Sequence, residues 1–389
     1  MPKREILISF MNLINSQTFF KEFCFSKNCF IPKSGTELEF SDYTLFLNGY
    51  LIIFQLKERR EKSDLIQKEL NWLRNKIQSK ATKQIRRSLG YLDEFSVLSV
   101  RNERNNIVNI NRTSLKEIHK VVVYLYPEKK PLDFEPVKYH LSRTADFIHI
   151  FDFISYKFAC EVLYTPIEII KYLQFREKIL TSVFDAKKQT EKHLLGRYLL
   201  SPIVPSLEFD SKNEDYSVYV DKLKMRIGDF NMRFVFKSLK EKGYKFIYGE
   251  GELSYYRIMT ELALLDRAEL TKFKERFDKT LENSTKNKRD IFRLIAVNNQ
   301  CGFVFISIPR IEFKNRYKRL EAMTALAKYD MKLNKIIGVT IVQKDGFYID
   351  WIYIESRWKR VPKVDEKLKE NYPFKPLKKN ISTVYEFDE

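Results

Sequence analysis

The chain has 389 residues, 44% hydrophobic and 14% aromatic, with 70 Lys and Arg against 51 Asp and Glu and a formal charge of +19. So much apolar side chain excludes a disordered polymer, and the length exceeds what one ordinary core covers, so two domains are expected. The positive excess favours a polyanionic partner, nucleic acid or an anionic membrane surface. The longest apolar runs, YLIIF at 50–54, VVVYLY at 121–126 and FVFISI at 303–308, have strand length, so no transmembrane helix is expected. The N-terminal apolar stretch is short, contains Asn12 and leads to no small-residue cleavage site, which reads as a cytoplasmic protein.

Residues 1 to about 35 read as a helix and then a loop, with Ile6, Phe10, Leu13 and Ile14 at helical spacing. SDYTLFLNGYLIIFQLKER at 41–59 then reads as a hairpin. Asn48-Gly49 between alternating apolar runs signals a type I′ turn, whose central residues both need positive φ. A two-residue loop puts Leu47 opposite Tyr50 and, counting outward, Tyr43 opposite Phe54 and Asp42 opposite Gln55. Side chains alternate between faces. Asp42, Thr44, Phe46, Leu51, Ile53, Gln55 and Lys57 therefore share one face, while Tyr43, Leu45, Ile52, Phe54 and Leu56 take the other. A carboxylate, an amide oxygen and an ammonium thus converge at the open end of an apolar hairpin.

Residues 62–95 place apolar side chains at 66, 70, 73, 77, 81, 85, 89 and 92, one face of a long helix with Ser63 as N-cap. Strands are expected near 95–100 and at 119–126, separated by the polar loop RNERNNIVNINRT, and again at DFIHIFDF, 146–153. TPIEIIKYLQFREKIL opens a helix with Thr165 at N-cap, Pro166 at N1 and Glu168 at N3, a capping box. SPIVPSLEFDSKNEDYS marks a break, giving domains 1–200 and 201–389. Beyond it the chain reads as helical to about 298. Strand FVFISI, helix RYKRLEAMTALAKYDMKL and strands KIIGVTIV and FYIDWIYI then form a second α/β unit.

Cys24, Cys29, Cys160 and Cys301 make neither a dense disulfide framework nor paired CxxC motifs and read as reduced thiols. His119, His140, His149 and His193 form no metal-binding spacing, and His149 within FIHIFDF reads as a core or edge-strand residue. No GxxxxGK[ST], GxGxxG or serine nucleophile elbow is present, and GEG at 249–251 reads as a turn.

SGTELEFSDYTLFLNGYLIIFQLKER followed by KATKQIRRSLGYL resembles the core of the PD-(D/E)XK nuclease superfamily, in which a hairpin carries Asp and then Glu-x-Lys or Gln-x-Lys, followed by a helix whose Lys and Gln face the site. The resemblance covers about 36–92 and by extension the first domain; the C-terminal half lies outside it. It implies an α/β architecture: a restriction-endonuclease-like N-terminal domain with a central mixed sheet flanked by helices, plus a C-terminal α/β domain. It further implies a nuclease dependent on Mg²⁺ or Mn²⁺, with DNA favoured as substrate, and would suit defence against phage.

The family's Asp, Glu-or-Gln and Lys positions fall on Asp42, Gln55 and Lys57. Asp42, the Gln55 amide oxygen and the Leu56 carbonyl would hold the metal. Lys57 would orient the attacking water and stabilise charge on the phosphate. Glutamine departs from the commoner carboxylate and weakens metal binding. An additional acid is expected upstream: Glu39 first, although strand parity turns it and Glu37 to the opposite face unless a bulge or turn intervenes, with Glu22 as a third option. Gln84 falls on the apolar stripe, either satisfied by backbone or touching phosphate or the metal's water. Lys80, Lys83 and Arg87 are nucleic-acid contacts on the same implication and a solvated face otherwise. The C-terminal domain would bind nucleic acid, a protein partner or a second copy. Two other readings stand beside the enzyme: a non-catalytic nucleic-acid-binding protein on a decayed nuclease fold, and an interaction or structural protein with incidental charge.

Overall fold

The computed structural model describes residues 5–32, 35–59, 65–126, 137–200, 215–226, 247–248, 252–297 and 299–377. The chain forms two units, Met1–Lys224 with Glu386–Glu389, and Met225–Tyr385. The division falls inside helix Ser217–Arg226 and not at 200, while most of the expected break at 201–217 lies outside the described residues.

In the first unit, helix α1 (Glu5–Thr18) is followed by β1 (Cys24–Phe25), β2 (Cys29–Phe30) and β3 (Leu38–Glu39). The buried side of α1 carries Leu7, Met11, Asn15 and Thr18, whereas Ile6, Phe10 and Leu13 are 48%, 44% and 59% exposed, the reverse of the expected stripe. An apolar count skips Asn15. Its Oδ1 is satisfied in the core, accepting from Tyr156 Oη at 2.7 Å.

Hairpin β4 (Tyr43–Leu47) and β5 (Tyr50–Glu58) has the register that its turn dictates, from Leu47↔Tyr50 to Tyr43↔Phe54. Asn48 and Gly49 have φ of 49° and 85°. Gly49 is also required sterically, because a Cβ there would lie 2.8 Å from the Ser114 carbonyl oxygen. Next comes one continuous helix: α2 (Ile66–Trp72), an eight-residue π-helical stretch (Leu73–Lys80) and α3 (Ala81–Glu94). Leu65 stands at its N-cap, and Ser63 lies outside the described residues. Leu73, Ile77, Ala81 and Ile85 pack on Val122, Tyr124, Ile148 and Ile150, while Tyr91 and Leu92 pack with Leu51 and Ile53.

Strands β6 (Leu98–Arg101) and β7 (Ile107–Ile110) form a separate ribbon, so the expected polar loop contains a strand. β8 (Glu117–Leu125) lies parallel to β5, the crossover passing through α2 and α3. β9 (Tyr139–Ser142) and β10 (Asp146–Asp152) complete a mixed six-stranded sheet in the order β1-β4-β5-β8-β10-β9. Its second face is covered by α1, α4 (Phe153–Val162) and α5 (Pro166–Ser182), with Tyr156 edge-on to both Phe54 and Phe151. α5 starts with the expected Thr165–Glu168 capping box. α6 (Glu191–Leu200) and α7 (Ser217–Arg226) follow.

The second unit contains β11 (Ile247–Tyr248), α8 (Glu252–Ala263), α9 (Arg267–Thr285), β12 (Asp290–Ala296), β13 (Cys301–Ser307), α10 (Arg316–Asp330), β14 (Lys335–Gln343), β15 (Phe347–Glu355) and α11 (Pro362–Glu370). Its sheet order is β11-β15-β14-β13-β12. β12 occupies a stretch expected to be helical. Its apolar run has no decisive period, and full pairing with β13 from Asp290↔Ser307 to Ala296↔Cys301 makes it a strand. Phe273 and Phe277 of α9 pack against Trp351 on one face, and Leu320 and Ala327 of α10 pack on the other. Gly338 permits that approach, because a Cβ would collide with Thr324 Oγ1. No described helix is long and apolar enough to cross a membrane.

Candidate functional site

The β4–β5 ladder ends at Tyr43↔Phe54, so Asp42 is not a ladder partner of Gln55 as the extrapolated register had it. Asp42 sits in a bend, and its Oδ2 accepts the Leu56 amide proton at 2.7 Å, standing in for a strand carbonyl. The convergence itself is present. Lys57 Nζ lies 3.2 Å from Asp42 Oδ2, 3.0 Å from the Leu56 carbonyl oxygen and 3.5 Å from Gln55 Oε1. An ammonium has three protons to donate and here has three oxygens around it. Asp42 and Gln55 are only 3% and 2% exposed, whereas the Lys57 side chain is 11% exposed. The cation therefore stands between these buried oxygens and solvent.

The bend is pinned from distant parts of the chain. Ser41 Oγ donates to the Tyr43 carbonyl at 2.8 Å and lies 2.7 Å from Thr44 Oγ1, and Asn28 Nδ2 donates to the Ser41 carbonyl at 3.3 Å. Phe40 donates its amide to the Asn28 carbonyl at 2.9 Å, and Ser88 Oγ of α3 donates to the Phe40 carbonyl. Gln84 lies one turn before Ser88 on the same helix. Its Oε1 is buried with no hydrogen-bond partner among the described residues, an omission that costs about 1–3 kcal/mol. Lys80, Lys83 and Arg87 are solvent-exposed, and Arg87 donates to Tyr91 Oη, so these three cations do not share Gln84's inward position.

Of the upstream acids, Glu22 is buried and ion-paired with Arg104 at 2.9 Å. Glu37 and Glu39 are exposed, and Glu39 belongs to the β2–β3 ribbon, opposite Cys29 and outside the six-stranded sheet. All four cysteines are free.

Beyond Lys57 stands a cluster that the sequence reading missed. Arg59 donates twice to Glu69, Nη2 to Oε1 at 2.8 Å and Nε to Oε2 at 3.1 Å, and lies over Trp72 at 5.5 Å. Tyr126 Oη also donates to Glu69, and burial together with this carboxylate pushes the phenol up to about 12. The available signal was Glu69 itself, an acid adjoining the apolar stripe of a helix.

A second group lies on the opposite sheet face: ligand atoms of His119, His149 and Glu177 fall within 4.8 Å of one another. Arg176 argues against a metal there. Its guanidinium donates to Glu191 through Nε (2.9 Å) and Nη2 (3.1 Å), and to the carbonyls of Lys138 (3.0 Å) and Ile150 (3.1 Å), and Nη1 lies 3.3 Å from His149 Nδ1. Arginine only donates, so His149 Nδ1 accepts and the ring proton sits on Nε2, leaving no lone pair for a metal. Burial lowers both histidines, His119 to about 4, which keeps the pair neutral. His149 is thus the core residue that its strand context indicated.

No family model matches this chain, and neither a curated protein nor a solved structure matches it significantly.

Proposed function

We propose that the first unit is a metal-dependent nuclease of the restriction-endonuclease-like type, acting on DNA in preference to RNA. The observation that carries this reading is the trio of oxygens from Asp42, Gln55 and Leu56 around one cationic nitrogen. These are hard donors of the kind that Mg²⁺ and Mn²⁺ take, and Mg²⁺ commonly keeps several waters beside one or two protein carboxylates. The order of hairpin, crossover helix and parallel strand supports the same reading.

A divalent ion held by Asp42, the Gln55 amide oxygen and the Leu56 carbonyl would polarise the phosphoryl oxygen and acidify a water. The protein's own contributions follow from charge and burial. Asp42 is held in place by the Leu56 amide and supplies the one full negative charge of the donor set. Lys57, on a flexible four-carbon stem and the most exposed member of the cluster, exchanges its three oxygens for a phosphate oxygen and offsets charge that builds during attack. Gln84 offers a buried acceptor for the proton of an ordered water.

The same geometry supports a second reading, a nucleic-acid-binding protein that has lost catalysis, because Lys57 already contacts all three oxygens and Gln55 is neutral. Cleavage of plasmid and single-stranded DNA with Mg²⁺ or Mn²⁺ separates the two. Under the enzyme reading wild type cleaves and Asp42→Ala does not, with a loss of about 10²–10³ or more. Salt-sensitive binding with no cleavage by wild type would establish the second reading instead.

A further inference from the structure

The segment from the end of β15 into the first turn of α11 reads SRWKRVPKV at 356–364, with four cations and no acid. Most surface charge of this kind is merely solvated. Three features set this loop apart.

First, the backbone of residues 356–361 is fixed despite having no regular structure. Ser356 donates its amide to the Asn334 carbonyl and Trp358 donates its amide to Asn334 Oδ1, both at 2.8 Å. Trp358 Nε1 donates to the Tyr329 carbonyl at 2.9 Å, and the Val361 amide donates to Tyr329 Oη at 2.9 Å. Second, Arg357, Lys359 and Lys363 are exposed and have no ion pair among the described residues, as does Lys332 beside Asn334. Of the nearby acids, Asp365 accepts from Arg360 at 2.9 Å and from Tyr329 Oη at 2.7 Å, Asp330 pairs with Arg293 and Glu355 with Arg257, while Glu366 and Glu370 of α11 are exposed and have no ion pair among the described residues. Third, the cations flank an aromatic floor, Trp358 and Tyr329, whose ring centroids are 5.8 Å apart.

We infer that this loop is a nucleic-acid-binding site on the second unit, taking the phosphate backbone on Arg357, Lys359, Lys363 and Lys332. Cations presented on a pinned loop lose less conformational freedom on binding than cations on a mobile one. Phosphate contacts of this sort give affinity without base specificity. An anionic membrane suits the loop less well. The indole N–H is bonded internally, and Val361 is the one exposed large apolar side chain of residues 356–364, whereas interfacial binders bury an apolar face. The site stands apart from the chemistry of the hairpin and rests on the nuclease reading only in making DNA the natural ligand.

The test is a salt titration of binding by the full chain in EDTA, so that metal-dependent cleavage cannot interfere. Probes are a DNA duplex of about 30 base pairs and vesicles of phosphatidylserine and phosphatidylcholine. The triple variant Arg357→Gln/Lys359→Gln/Lys363→Gln is compared with Lys314→Gln/Lys318→Gln/Lys344→Gln. The latter removes equal charge from around the other end of the β14–β15 hairpin. Loss of three phosphate contacts lowers the slope of log K against log salt by about 2.7 and weakens duplex binding by about tenfold or more, with an unchanged melting temperature. The comparison variant stays close to wild type. Equal weakening by both variants, no weakening by the first, or binding to vesicles without binding to DNA would overturn the proposal. A wild type that binds in this manner yet never cleaves leaves this site standing and removes the nuclease reading.

Discussion

Replacing Lys57 with methionine keeps an unbranched side chain, one atom shorter, and removes its charge, leaving the Asp42 carboxylate buried beside Gln55 Oε1 and the Leu56 carbonyl without the ammonium 3.2 Å away. Breaking a buried pair in this way costs about 3–5 kcal/mol, and the 11% exposure of Lys57 puts the expectation at the lower end, about 3 kcal/mol. For a unit of this size each kcal/mol moves the melting temperature by about 2–4 °C, so Lys57→Met melts about 6–12 °C below wild type in EDTA. The same substitution vacates the point on which the three oxygens converge. Mg²⁺ at a hundred times its dissociation constant returns about 2.7 kcal/mol, and the return is larger in Lys57→Met than in wild type, where the ammonium competes. Differential scanning fluorimetry of both proteins across a Mg²⁺ series measures this, and cleavage stays lost throughout. Equal melting in EDTA together with equal Mg²⁺ shifts would refute the idea that Lys57 occupies a cation site.

Gln55→Glu adds a second carboxylate to the same donor set and is expected to tighten Mg²⁺ binding while preserving cleavage; lower melting both with and without Mg²⁺, and no gain in affinity, would count against Gln55 as a ligand. Gln84→Leu removes a buried acceptor with no partner among the described residues. It is expected to raise stability by about 1 kcal/mol and to slow cleavage, whereas unchanged rates would leave Gln84 a packing residue. His119 is held at about 4 by burial, below its ordinary 6.5. The unfolded chain therefore takes up this proton first, and stability falls as pH drops from 6.5 to 4, by about 3 kcal/mol at 1.36 kcal/mol per pKa unit. Urea titrations of wild type and His119→Gln over that window check it, since the variant should lose this part of the pH dependence.

Local chemistry explains what could be read in advance. Asn48-Gly49 sets five cross-strand pairs, and Thr165, Pro166 and Glu168 set the start of a helix, because each signal acts over a few adjacent residues. The site residues Asp42, Gln55 and Lys57 follow from that register, but their contacts do not. Asp42 leaves the ladder because Asn28 and Ser88, from elsewhere in the chain, hold the bend at Phe40 and Ser41. Glu39 could not be placed by strand parity, since it pairs with Cys29 in another ribbon. The buried stripe of α1 depends on Tyr156, 141 residues from Asn15, and burial of Glu69 depends on Arg59 and Tyr126. In each case a distant polar partner overrides the hydrophobic pattern. β12 is a strand for a related reason, because its pairing with β13 decides between two forms that its apolar run allows.

The most direct test of the nuclease reading is an assay of supercoiled plasmid with purified full-length protein, in Mg²⁺, in Mn²⁺ and in EDTA, for wild type and Asp42→Ala. The expected result is nicking or linearisation by wild type with either metal, none in EDTA, and none by an Asp42→Ala protein whose circular dichroism spectrum matches wild type. Cleavage by folded Asp42→Ala at the wild-type rate, or no cleavage by wild type of any duplex or single-stranded substrate with either metal, would contradict it.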